Sequence, residues 1–134
     1  MKKFLLAVLV WLLIYACGGG GGSSTPVAQI PLPPRKPAFI NVSSSNLAIF
    51  ARWSSISDAK FYRLYYSAHS SLPLKNNPDV AKLEVYRNYT TVITTTPTRY
   101  YLTVTAVNDV GESNESSRKS VVTTNPPPPP PSLP

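Results

Sequence analysis

From residue 38 onward apolar and polar positions alternate with period two, which predicts strands rather than helices. Ile40 and Val42 alternate with polar neighbours. Leu47, Ile49, Ala51 and Trp53 mark one face of the next run, and Tyr62, Leu64 and Tyr66 mark one face of "KFYRLYYS". Then come "YTTVIT" and "RYYLTVTAVN", the second of which places Tyr100, Leu102, Val104 and Ala106 on a single side; "KSVVTT" closes the series. The separators "SSSN", "SSISDA", "SSLPLKNNPD", "TTPT" and "NDVGESNES" are rich in turn-forming residues. No stretch of a dozen residues carries a helical period. About seven short strands at this spacing predict an all-β fold, a two-sheet antiparallel sandwich.

The ends have a different texture. Gly18 to Ser24 and a proline series (Pro26, Pro31, Pro33, Pro34, Pro37) precede the alternating region, and Pro126 to Pro131 are six consecutive prolines. The expected division is a signal segment over 1–16, a tether over 17–36, a folded domain over 37–124 and a polyproline tail over 125–134. A core of roughly 90 residues buries somewhat more than about 60% of its unfolded surface, enough to fold without disulfide or metal. Six prolines in polyproline II form extend about 19 Å, as a peptide ligand or the stub of a spacer.

The single cysteine stands at the seam between the first two segments. Lys2 and Lys3 followed by the apolar run Phe4 to Ile14 read as an export signal, since a helix of that length rises only about 16 Å and is too short to span a bilayer. The residues Ile14-Tyr15-Ala16-Cys17 resemble the lipobox of bacterial lipoproteins. That resemblance implies cleavage between Ala16 and Cys17, with diacylglycerol on the Cys17 thiol and an N-acyl chain on its new amino group. Beyond this covalent lipid no cofactor is expected. More than one acyl chain makes a stable membrane anchor, at about 0.8 kcal/mol per buried methylene. The glycines then serve as a flexible tether that lets a folded body clear the headgroups. Gly18, where an Asp would retain the protein in the inner membrane of enteric bacteria, implies the outer membrane, on either its periplasmic or its exposed side.

Within the alternating region, Trp53, "Tyr62-Arg63-Leu64" and the run from Pro97 to Asn108 followed by "Gly111-Glu112-Ser113" resemble a fibronectin type III domain. Tyr100, six residues before Ala106, stands where that family carries the tyrosine of its corner motif. The resemblance implies that the Tyr100 hydroxyl bonds back to the preceding turn and that Trp53 is the central core aromatic, with Tyr62, Leu64, Leu102, Val104 and Ala106 around it.

Charge and chemistry narrow the function. The chain carries a formal net charge of +7. Without Lys2 and Lys3 it has eleven Lys and Arg against six Asp and Glu, scattered rather than striped, which argues against nucleic acid as a partner. His69, the one histidine, reads as an exposed loop residue, and with Cys17 lipidated no metal-ligand set remains. Asp109, Glu112 and Glu115 fall in a turn-rich segment and read as solvated, without the apolar pocket that acid–base catalysis needs. The triplets at Asn41, Asn88 and Asn114 match glycosylation acceptors, coincidentally in a bacterial lipoprotein.

Two binding surfaces are expected. If Tyr62 and Leu64 point in, then Phe61, Arg63 and Tyr65 point out, and with Tyr100 inward Tyr101 and Thr103 point out. Phe61, Arg63, Tyr65 and Tyr101 would form one exposed aromatic and basic face, composed of residues favoured at interfaces. The second is the loop Asn108, Asp109, Val110, Gly111, Glu112 and Ser113. The sequence thus predicts a non-catalytic, lipid-anchored envelope protein that displays its domain to a protein or polysaccharide partner. The alternative is a structural spacer or assembly subunit.

Overall fold

A computed structural model describes residues 30–69 and 74–131, so Ala16, Cys17 and the glycine tether lie outside the described residues. The described residues form seven strands: β1 (Phe39–Ser45), β2 (Ala48–Trp53), β3 (Phe61–Ser67), β4 (Ala81–Val85), β5 (Tyr89–Ile93), β6 (Arg99–Val107) and β7 (Lys119–Val122). They make two antiparallel sheets, one in the order β1-β2-β5 and one in the order β4-β3-β6-β7. The expected all-β sandwich is the observed architecture.

Period-two alternation builds the core between the sheets. Ile49, Ala51 and Trp53 of β2 and Val92 of β5 face Tyr62 and Leu64 of β3, Val85 of β4, and Leu102, Val104 and Ala106 of β6. Trp53 is fully buried at the centre, edge-on to Phe39 at 6.3 Å and to Tyr62 at 5.6 Å between ring centroids. Both distances suit the attraction between a positive ring edge and a negative face. The hydroxyl of Tyr62 accepts a bond from the Ile56 N–H at 2.8 Å, so its polar tip is satisfied at the rim of the core.

β1 departs from the simple alternation. Ile40 and Val42 were expected on one face, yet Ile40 is 62% exposed while Phe39 and Val42 pack on the core. The register explains this: Phe39 pairs with Trp53 and Asn41 with Arg52, leaving Ile40 as the extra residue of a β-bulge that shifts the phase by one. The turn from β1 to β2 places Asn46 at φ 51°, a left-handed conformation that asparagine tolerates.

β4 alternates Ala81, Leu83 and Val85 with Lys82 and Glu84, yet its first four residues are exposed and only Val85 is buried. It is a sheet edge, and its Lys82 and Glu84 suit an edge that must not pair with another chain. At the other side of that sheet, β7 pairs with β6 only from Arg99 to Leu102. Beyond it two serines replace the ladder. Ser116 donates its N–H to the Val104 carbonyl at 2.9 Å and accepts the Val104 N–H on Oγ at 3.0 Å; Ser113 does the same for Ala106 at 2.8 and 2.9 Å. These bonds satisfy a buried strand edge with irregular chain.

The two ends of the described chain leave from opposite poles. The Leu32 carbonyl accepts a bond from the Asn108 side chain, Pro33 lies against Gly111, and Pro34 and Pro37 are buried. Residues 32–37, counted with the tether on sequence, therefore lie on the body. At the far pole the Thr124 N–H donates to the Asn46 carbonyl at 3.0 Å, and residues 124–131 are exposed. At this pole the Tyr100 hydroxyl also donates to the Thr96 carbonyl, at 3.4 Å in an exposed setting. Tyr100→Phe should therefore cost no more than about 1 kcal/mol, read as a small fall in the urea midpoint.

Candidate functional site

The outer face of the four-stranded sheet holds the residues singled out on sequence, but it is not an open surface. β3 turns Phe61, Arg63 and Tyr65 outward and β6 turns Tyr101, Thr103 and Thr105 outward, with Arg63 beside Thr105 and Tyr65 beside Thr103. Two segments then fold over them. One is 74–80, whose Leu74 and Val80 bury Tyr65 in a second small core against Tyr101. The other is 112–116, which brings two carboxylates across the strands.

Glu112 is the hub of this cover. Its Oε1 accepts bonds from the Tyr65 hydroxyl at 2.7 Å and the Thr105 hydroxyl at 2.6 Å, and its Oε2 accepts from the Arg63 guanidinium at 2.9 Å. Arg63 also donates to Glu84 of β4 through two nitrogens, at 3.1 and 3.0 Å. One guanidinium thus bridges a strand-edge carboxylate and a loop carboxylate, the planar geometry to which arginine is suited. Glu115 closes the other end by accepting the Thr103 hydroxyl at 2.7 Å and the Lys75 N–H at 2.8 Å.

The electrostatics follow from these contacts. Burial would push the Glu112 carboxyl up, but the hydroxyls of Thr105 and Tyr65, the Arg63 guanidinium and the charge of Lys75 outweigh it and hold it below the usual value. Burial and the bond to Glu112 push the Tyr65 phenol well above the ordinary tyrosine range. For Arg63 burial opposes the charge, and the bonds to Glu84 and Glu112 more than offset it.

Three expectations are corrected here. Tyr65 points out of the sandwich but is only 4% exposed, because segments 74–80 and 112–116 cover it; Thr103 is buried for the same reason. Glu112 and Glu115 are not solvated loop carboxylates but the polar cover of the sheet. The loop 108–113 is only half a loop surface: Asp109, ion-paired to Lys60, and Val110 are exposed, whereas Glu112 and Ser113 turn inward. Phe61 and Tyr101 remain half-exposed, Phe61 under Arg63 and beside Tyr86 at 5.7 Å, Tyr101 under Arg118. The four residues of the expected face share one side of the sheet, with Arg63 and Tyr65 closed into a network and Phe61 and Tyr101 half-exposed beside it. His69 is exposed.

The opposite sheet offers what the first does not. Its outer face carries Phe50 between Ser43 and Thr91, and Arg52 between Asn41 and Tyr89. Of these, Asn41, Phe50, Arg52, Tyr89 and Thr91, with Asn88, line a groove of about 460 Å³. The outward phase of β2 and β5 was readable from the alternation that turns Ile49, Ala51 and Trp53 inward. The pairing of β2 with β5, which gathers Phe50, Arg52 and Tyr89, was not. Among the described residues no group of three or more His, Cys, Asp or Glu side chains could hold a metal ion.

No protein-family model and no curated protein sequence matches the chain. Solved structures do. The chicken CNTN1 FN1-FN3 domains superpose with a TM-score of 0.59 at 20% identity, over 69% of this chain and 32% of that one. The fn3 domain of human contactin 1 superposes with a TM-score of 0.59 at 19% identity, over 86% of this chain and all of that one. A beta-1,2-glucanase from Parabacteroides distasonis reaches a TM-score of 0.54 at 26% identity, over 75% of this chain and 14% of the enzyme. The likeness is one of fold: the sandwich is of the fibronectin type III type.

Proposed function

We propose that this chain is an exported bacterial lipoprotein, anchored through Cys17 in the outer membrane, that presents its fibronectin type III sandwich as a non-catalytic binding module for an envelope protein or glycan. A sandwich of this type is an interaction or spacer domain. The observation that favours interaction is the exposure of the aromatic rings of Phe50, Tyr86 and Tyr89. Large exposed rings are the groups most often used in recognition. A glycan is one such partner, and one structure of the same fold belongs to a beta-1,2-glucanase.

A spacer role is the second reading, favoured by the departure of the two ends from opposite poles. A body entered at one pole and left at the other adds its full length between two attachments.

Metabolic labelling with alkyne-palmitate tests the anchor. The wild-type chain should take up label, and Cys17→Ala should lose it and leave the membrane fraction. Label retained by Cys17→Ala would sink the lipoprotein reading. Protease treatment of intact and lysed cells then decides the side: digestion on intact cells means an external partner, and protection until lysis means a periplasmic one.

A further inference from the structure

We propose that the outer face of the β1-β2-β5 sheet binds an acidic polysaccharide in the groove between Phe50 and Tyr89. The groove is lined by Asn41, Phe50, Arg52 and Tyr89 together with Ala51 and Thr90, whose side chains belong to the other phase of their strands. The sheet backbone is therefore its floor, and the outward side chains are its walls. About 460 Å³ falls within the range in which pockets hold small ligands or a few units of a chain.

Each wall supplies a part of sugar recognition. Phe50 is 43% and Tyr89 51% exposed, so each leaves ring surface that can stack on the C–H face of a pyranose. Arg87 lies over the Tyr89 ring, 5.8 Å from its centre, and donates to its hydroxyl at 3.0 Å, which holds the ring in place. Asn41 offers a carboxamide to sugar hydroxyls. Asn88 donates its side-chain amide to the Trp53 carbonyl at 3.2 Å and keeps its side-chain Oδ1 as an acceptor.

Charge selects the class of glycan. Strands β1, β2 and β5 contain no carboxylate, and all but two of the chain's acidic residues lie on the other sheet or in the segment that follows β6; the remaining two, Asp58 and Asp79, lie between β2 and β3 and between β3 and β4. Among the described residues Arg52 makes none of the ion pairs, and the strand register sets it between Asn41 of β1 and Tyr89 of β5. A fork of donors beside a stacking ring suits the carboxylate of a uronic acid unit. A protein partner fits less well, because a stable interface needs about 800 Å² per side with an apolar centre. Here Asn41, Ser43 and Thr91 interrupt the apolar surface around Phe50 and Tyr89.

This inference rests on the interaction reading but not on the anchor. Failure of Cys17 labelling would leave it standing, and its own failure would leave the anchor standing. Calorimetric titration of the full chain in detergent, with polygalacturonate oligomers, neutral galactan oligomers and oligo(dT) as probes, tests it. Polygalacturonate should bind saturably and the neutral oligomer at least about tenfold more weakly, a gap of ~1.4 kcal/mol. Tyr89→Ala and Arg52→Ala should each weaken polygalacturonate by about tenfold with an unchanged unfolding midpoint, since both side chains are exposed. Tyr86→Ala, in the turn after β4 and against Phe61 of the other sheet, should not. Absence of saturable binding, indifference to both groove variants, equal binding of the neutral oligomer, or tighter binding of oligo(dT) would each overturn the proposal. So would capture of an envelope protein that depends on Tyr89 in the absence of any polyuronate binding.

Discussion

Glu112→Ala should destabilise the domain by about 2–4 kcal/mol, because it strips one acceptor from three donors beneath a cover. Tyr65 and Thr105 lose the one carboxylate they donate to among the described residues, and Arg63 keeps Glu84. For a body of this size the unfolding midpoint should fall by roughly 10–20 °C. The more discriminating variant is Glu112→Gln, which retains an acceptor for both hydroxyls and removes the charge. The Glu112 pKa is lower in the folded chain than in the unfolded one, so in acid the unfolded state binds the extra proton. Its contribution is complete above the ordinary glutamate range and is lost as pH falls through that range and below. Chemical denaturation from pH 7 down to pH 3 should show the wild type losing stability along this limb and Glu112→Gln losing less. Parallel limbs would show that Glu112 carries no such linkage.

Trp53→Ala should cost about 3–5 kcal/mol, the usual penalty for a large aromatic removed from a packed core. The ring touches both sheets, with Phe39 on one side and Tyr62 on the other, and neither can collapse into the space without breaking strand register. Trp53→Phe should cost less than half as much, for a reason specific to this site. The Trp53 Nε1 is buried with no hydrogen-bond partner among the described residues. Leaving such a donor unmade costs about 1–3 kcal/mol, and phenylalanine abolishes that cost while keeping most of the ring contacts. Urea unfolding followed by far-ultraviolet circular dichroism checks both. Equal losses for the two variants would mean that the indole nitrogen is satisfied in solution.

These two residues also mark how far the sequence could be read. Trp53 was legible because alternation fixes which side of a strand a residue occupies, and a side facing the partner sheet is buried by necessity. Glu112 was not, because alternation is silent about what lies over the other side. Tyr65 has the outward phase that the pattern assigned to it and is nevertheless buried, since 74–80 and 112–116 are irregular chain whose course has no period to read. Ile40 failed for a related reason: one inserted residue inverts the phase, and a bulge leaves no mark in composition. β4 was missed because its alternation of Ala81, Leu83 and Val85 with Lys82 and Glu84 spans only five residues beside a turn-rich stretch, too short a signal to stand out. The groove at Phe50 and Tyr89 depends on which strands become neighbours, a long-range property that local pattern does not contain.

The opposite exits of the chain have a mechanical consequence. β1 runs from the pole where the tether arrives to the pole at Asn46, and β7 runs toward that same pole, so the first and last strands lie side by side and parallel. Ser44 donates to the Val122 carbonyl at 2.6 Å and Thr124 to the Asn46 carbonyl at 3.0 Å across their boundary. A pull between an immobilised N-terminus and a held C-terminal tail drags β1 one way and β7 the other, along their own axes. The bonds between them are then loaded together in shear instead of being opened one after another like a zip. A body attached to a surface by its leading end and gripped by its trailing end would resist extension along that line far better than across it.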